Sequence, residues 1–347
     1  VFRLTLGPIS FRQNTCFKVK SRVHFRTVAG TLMIKNWFTG RKTRPPQVLP
    51  SAAPVAPSVA LEEIDADTLY YRWLTAAVAD PASPVSPQVL LDELQRLAAS
   101  PGAGAHLVPR VPAIIPQLLR SLRDENMSAV DFSRLLSQDV VLVAEVIRGA
   151  NSPYYSPNSP IKTIESAVML LGQNGMRLLL ARMAFRPVIS TQTGKLARVA
   201  APLAWRHAER CAQAATLLAP RVRANPFESY LAGLMLDVGL IVAFRLFDQI
   251  NPDLVLPQSD AFHAGVARHA RTLSARIAAM WEFPPAVVEA IENAAHAGGT
   301  PLARTVALAD RVAKLRMLAD AGVIDANQSA TLDAAALACF EKLRLIE

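Results

Sequence analysis

In residues 61–79 (LEEIDADTLYYRWLTAAVA) apolar and aromatic positions fall three and four apart behind an acidic start, which predicts an amphipathic helix with Tyr70, Tyr71 and Trp73 as packing residues. ADPASPVSP breaks the chain, a second helix is predicted over 88–99, and SPGAGAH breaks it again. Residues 61–104 therefore read as a separate N-terminal helical element. Further on, 128–137 has apolar positions Val130, Phe132, Leu135 and Leu136, while 140–147 is apolar almost all round apart from Glu145 and reads as a buried helix. That helix should stop at Asn151, a residue that tolerates the left-handed conformation, with Pro153 unable to continue the ladder. Thr163 then suits the N-cap of the helix IESAVMLL, Glu165 its first turn and Gly172 its stop. The longest apolar run, 231–244, falls short of the roughly twenty residues a membrane helix needs, so no membrane span is expected. Residues 300–347 read as two C-terminal amphipathic helices split by VIDANQ. Their charges are expected to face solvent, or alternatively to flank a dimerisation stripe. The pattern as a whole predicts an all-α fold.

Composition agrees with that picture: among 347 residues, 51% hydrophobic content with 6% aromatics suits an alanine- and leucine-rich helical protein. Charge changes it in one place. Residues 1–44 hold ten Lys or Arg and no Asp or Glu, which leaves 27 basic against 28 acidic residues for the rest, so the net charge of +9 belongs to an extension and not to the folded part. That extension reads as disordered or mis-started, with Met33 as a later start, or alternatively as a basic arm for anionic lipid or RNA. Residues 45–60 form a proline-rich linker. Cys16, Cys211 and Cys339 lie far apart without CxxC spacing, which argues against a disulfide framework or thiolate metal site and for a cytoplasmic setting.

Candidate chemistry is sparse. No phosphate-binding glycine motif is present, and Ser152 and Ser166 have no paired base in sequence. Asp237 is the exception, an acid among Gly233, Leu234, Leu240 and Ile241 at helical spacing, with nothing polar on its own helix to pair with. It needs a partner elsewhere, a metal or water.

The succession of VPAIIPQLL, the acid of SQDV, the ANSPYY turn with Asn151 and Ser152, the IKTIESAVMLLG helix ending at Gly172, the AWRH of Trp205 and His207, the GLMLDVG of Gly233, Asp237 and Gly239, and the MWEFP of Trp281 resembles the HDOD domain, the HD-related output domain of bacterial signalling proteins. The likeness covers about 108–299, within a main body drawn at 105–299. It implies a helical bundle related to the HD metal-dependent phosphohydrolases, usually without the complete metal site and acting as a regulatory or interaction module. In such enzymes a His, a His-Asp doublet and a later Asp hold an ion that activates water for attack on a phosphoester. Here His207 matches the first His, but Leu236-Asp237 stands at the doublet, and Leu240 occupies a position that often carries lysine. His263 and His269 lie six apart and share no helical face. His269 and His296 are displaced from the family's usual positions near Ala270 and near Ala294 and Ala295. His207 and Asp237 thus read as vestigial metal positions paired with each other, with no metal, cofactor or catalytic residue expected. The function the resemblance implies is signalling through protein partners or a homodimer, nucleic acid being disfavoured. The alternative is a weak metal-dependent phosphohydrolase acting on a nucleotide or cyclic dinucleotide.

Overall fold

The structure, a computed structural model, describes residues 65–76, 85–100, 102, 107, 140–152, 155–190, 194–251, 256–294, 299–325 and 332–344. The basic extension, the proline-rich stretch, the helix read at 128–137 and His296 lie outside the described residues. Among the described residues the elements are helical: α1 (Ala66–Thr75), α2 (Pro87–Ala99), α3 (Val140–Ala150), α4 (Ile164–Ser190), α5 (Lys195–Leu218), a 3-10 turn (Ala219–Val222), α6 (Pro226–Met235), α7 (Val238–Ile250), α8 (Asp260–Met280), α9 (Pro285–Asn293), α10 (Pro301–Asp320) and α11 (Ala334–Leu343).

Helix α5 is the axis, with α6, α10, α7, α11, α1 and α4 packed around it. Its alanine-rich sequence explains why. Ala197, Ala200, Ala204, Ala208 and Ala212 are buried, so neighbouring backbones approach closely. The tightest approach is at Gly233 of α6, where a Cβ would sit 2.7 Å from the Ala212 Cα. Gly239 plays the same part between α7 and α8, since a Cβ there would lie 2.0 Å from the Ala270 carbonyl oxygen. Trp281 stacks on Phe185 at 5.9 Å, and Trp205 is buried on α5.

The start of α5 has no capping side chain of its own. Instead, Asp248 of α7 accepts from the backbone N–H of Leu196 (2.9 Å) and Ala197 (2.8 Å), satisfying two donors that a helix start leaves open. A Cβ on Gly194 would collide with this carboxylate at 1.9 Å, which is why the preceding residue is glycine.

Several expectations change. The helix ends at Ala150 as the pattern predicts, but Asn151 is not left-handed. Its side chain donates to the Ile147 and Ile161 carbonyls and accepts from the Ile161 N–H, each at 2.8 Å, stapling the turn that begins with Ser152. Helix α3 is not buried all round, because Val146 and Ala150 face the core while Ala144 and Arg148 face water. Thr163 does cap the next helix, accepting from the Ser166 N–H at 3.2 Å. Gly172 breaks that helix with φ 63°, but the chain re-enters helix directly and α4 continues to Ser190. The apolar segment reaches further than 231–244: Pro226–Ile250 is long and apolar enough to cross a membrane by composition. It is broken around Asp237 into α6 and α7, and 89% of its most apolar window is buried in the protein.

The flanking elements are not separate either. Helix α1 packs on α10, α5 and α8, α2 packs on α8, and α10 lies along α5. Nor do the charges of α10 all face solvent: Asp310, Lys314 and Arg316 are each less than one-tenth exposed. A pattern read on one helix cannot show that a charged face is covered by helices from the other end of the chain.

A buried histidine between two carboxylates

His207 lies in the middle of α5 and is fully buried. Its Nδ1 is 2.6 Å from Asp237 Oδ2, so the structure brings together the two residues that the sequence singles out. Asp237 stands at the N-cap position of α7 without using its side chain as a cap. The turn that aims it is held by Ser274 of α8, whose hydroxyl donates to the Leu236 carbonyl (2.7 Å) and accepts from the Gly239 N–H (2.8 Å). On the other side of the ring, His207 Nε2 is 3.2 Å from Asp310 Oδ1 in an ion-pair contact and 3.5 Å from the Asp310 backbone oxygen.

Asp310 also meets Lys314 one turn along α10, at 2.7 Å, and Lys314 reaches Asp67 of α1 at 2.7 Å. Arg271 lies 3.9 Å from Asp310. The Tyr70 ring closes the site from above, 4.8 Å from the imidazole centroid.

These neighbours decide the protonation states. Burial alone would lower the His207 pKa, but the charge and hydrogen bond of Asp237, together with Asp310, overcome it and push the value up to about 9. Burial likewise works against the Asp310 carboxylate. Lys314, His207 and Arg271 outweigh it and hold Asp310 well below the usual carboxylate range. Burial opposes the Lys314 charge too, and Asp310 and Asp67 keep its pKa above the ordinary lysine value. The neighbours thus favour the charged forms of His207, Asp310 and Lys314 in the fold. The neighbouring Cys211 thiol is pushed well above its ordinary range, first by burial and then by Asp310 and Asp237, so it is no thiolate nucleophile.

A metal held as in the HD enzymes does not fit these residues. Both nitrogens of the His207 ring already face carboxylates, Asp237 at 2.6 Å and Asp310 at 3.2 Å. Leu236 offers only hydrocarbon at the doublet, and the Lys314 ammonium already supplies positive charge beside Asp310. Among the described residues, no group of three or more His, Cys, Asp and Glu is arranged to hold a metal ion. The remaining signature residues stand apart from the charged centre. Asn151, Ser152 and Gly172 shape turns, Gly233 and Gly239 permit close crossings, and Trp205 and Trp281 pack. His263 is buried against Tyr71, with ring centroids 4.4 Å apart, and His269 lies on α8; neither joins His207.

Sequence reasoning missed Asp310, Lys314, Arg271 and Ser274. The signal was present in ALADRVAKL, where an acid and a lysine one turn apart sit among Ala309, Val312 and Ala313, all buried.

Comparison with known proteins bears on the fold and the family. A 26% identical relative, an uncharacterized protein from Treponema pallidum (strain Nichols), aligns over 236 residues, 62% of this chain and 44% of its own length. The chain thus spans less than half of that curated relative. Among solved structures, an HDOD domain protein with unknown function from Geobacter sulfurreducens is 22% identical with a TM-score of 0.54, over 73% of this chain and 89% of its own. A protein from Shewanella amazonensis SB2B, provisionally named a metal-dependent phosphohydrolase, is 18% identical with a TM-score of 0.52, over 74% and 98% of the two chains. A Marinobacter aquaeolei VT8 protein, provisionally named a signal transduction protein, is 20% identical with a TM-score of 0.50, over 83% and 64%. At these identities the structures establish a shared fold. The family model described as HDOD domain matches residues 108–297, more than half of the chain, and the chain belongs to the HDOD family.

Proposed function

We propose that this protein is a cytoplasmic signal-transduction module that acts by binding proteins and carries out no catalytic step of its own. The observation that supports this reading is the engagement of His207: the buried ring faces Asp237 on one nitrogen and Asp310 on the other, which ties α5 to α10 and to the start of α7 and leaves neither nitrogen open to a metal. Its partners are signalling proteins or a second copy of the chain. The near-neutral charge beyond residue 44 speaks against a nucleic-acid ligand for the folded part.

The second reading, a weak metal-dependent phosphohydrolase acting on a nucleotide or cyclic dinucleotide, is favoured by the convergence of one His and two Asp on one buried point. Elemental analysis of protein purified without chelator, with nucleotide and cyclic-dinucleotide turnover assays, separates the two. The binding reading expects no stoichiometric iron, manganese or zinc and no turnover. Near-stoichiometric metal with turnover abolished by Asp237→Ala would overturn it.

A further inference from the structure

Helix α1 lies outside the segment matched to the family, yet it covers the charged centre. It does so as an amphipathic helix in a groove: Ala66, Tyr70, Tyr71 and Leu74 point inward, onto α5, α8 and α10. Tyr70 lies against His207, and Tyr71 lies against His263 at 4.4 Å. Two ion pairs hold the ends of this face, Asp67 to Lys314 at 2.7 Å and Arg72 to Asp260 at 2.5 Å. In each pair one partner is largely in water, with the Asp67 side chain 64% and the Asp260 side chain 70% exposed. Solvent therefore screens both.

The fit is imperfect in one specific way. The hydroxyls of Tyr70 and Tyr71 are buried and have no hydrogen-bond partner among the described residues. An unmatched buried donor weakens an interface, and a helix offering the same shape without it binds better. We propose that the groove on α5, α8 and α10 is a docking site for a partner's amphipathic helix, and that α1 is its tethered, displaceable occupant. The groove defines the partner's chemistry. The partner's helix carries an acidic residue for Lys314, two aromatic residues three and four positions later for the His207 and His263 pockets, and an arginine next in line for Asp260. This inference rests on the protein-binding reading above and names the surface and the class of partner.

The test uses the full chain. Native-state hydrogen exchange should show the amides of α1 opening without global unfolding, and Asp67→Asn with Arg72→Gln should speed their exchange about fivefold while leaving α5 unchanged. A fluorescent peptide spanning residues 62–77, with Tyr70→Phe and Tyr71→Phe, should bind this loosened chain about tenfold more tightly than the wild type, where tethered α1 competes. Asp260→Asn, an exposed change, should weaken the peptide. The inference is overturned if α1 amides exchange only with global unfolding, or if the loosened chain keeps its melting transition and does not bind the peptide. Metal-dependent turnover would sink the protein-binding reading without altering either result. Absence of peptide binding in a metal-free, inactive protein would sink the groove alone.

Discussion

Replacing His207 with glutamine removes a titrating group from the centre of the bundle while keeping its approximate size, and the effect should depend on pH in a defined direction. The imidazole has an ordinary pKa of 6.5 and is raised to about 9 in the fold. A raised basic group contributes stability that is fully present below the unfolded value and is lost as pH climbs through the folded one. The window is thus pH 6.5 to 9. A shift of this size corresponds to roughly 3 kcal/mol, and because His207 is fully buried, solvent screening takes little away. Urea unfolding of the wild type from pH 6 to pH 9.5 should show stability falling by about that amount. The His207→Gln variant should be nearly flat over the same range. Cys211 and Tyr70, whose pKa values burial pushes upward, also withdraw stability, but only in alkaline solution and equally in both proteins, so the difference between the two curves isolates the imidazole. If that difference is constant from pH 6 to pH 9, Asp237 and Asp310 do not raise the imidazole and the reasoning about this site fails.

Three further outcomes follow from the same site and its supports. His207→Ala and Asp237→Leu should each cost about 1–3 kcal/mol in urea unfolding, and together less than their sum, because the 2.6 Å hydrogen bond is lost only once; strict additivity would mean that the pair contributes nothing. Lys314→Met strips Asp310 of its nearest cation and should cost about 3–5 kcal/mol at pH 7, with the deficit shrinking as pH falls and the acid is protonated. Gly239→Ala should cost about 2 kcal/mol or more in thermal or urea unfolding, since its Cβ has no room beside the Ala270 carbonyl, whereas a neutral result would show that α7 and α8 can separate freely.

The helical fold was legible because the apolar period and its breaks are local signals. Thr163 and the boundary at Ala150 could be placed from a few neighbouring residues, and Gly172 marked a break in the backbone though not the end of its helix. The pairing of His207 with Asp237 was legible for another reason: an acid in an apolar stretch must be satisfied, and the family likeness named a candidate 30 positions away. Asp310 and Lys314 were not legible as core residues. They sit on a helix whose own pattern is amphipathic, and only the arrival of α1 and α5 buries its charged face. The role of Asn151 escaped for a similar reason, since two of its three side-chain hydrogen bonds reach a backbone segment ten residues on. Residues that act within their own turn are readable from sequence, and those that act across a crossing are not.

The trans cap formed by Asp248 fixes more than two N–H groups. It sets the axial register of α5, because a shift of one residue would carry Leu196 and Ala197 away from the carboxylate. A one-residue slip turns a helix by about 100°. Eleven residues further along, that turn would swing His207 away from both Asp237 and Asp310. The alignment of the charged centre is therefore set by a contact with α7 and not by the length of chain leading into α5. Insertions or deletions ahead of Gly194 should leave the site intact, while Asp248→Ala, remote from every charge in it, should loosen it. The register on which the buried site depends is thus fixed from α7.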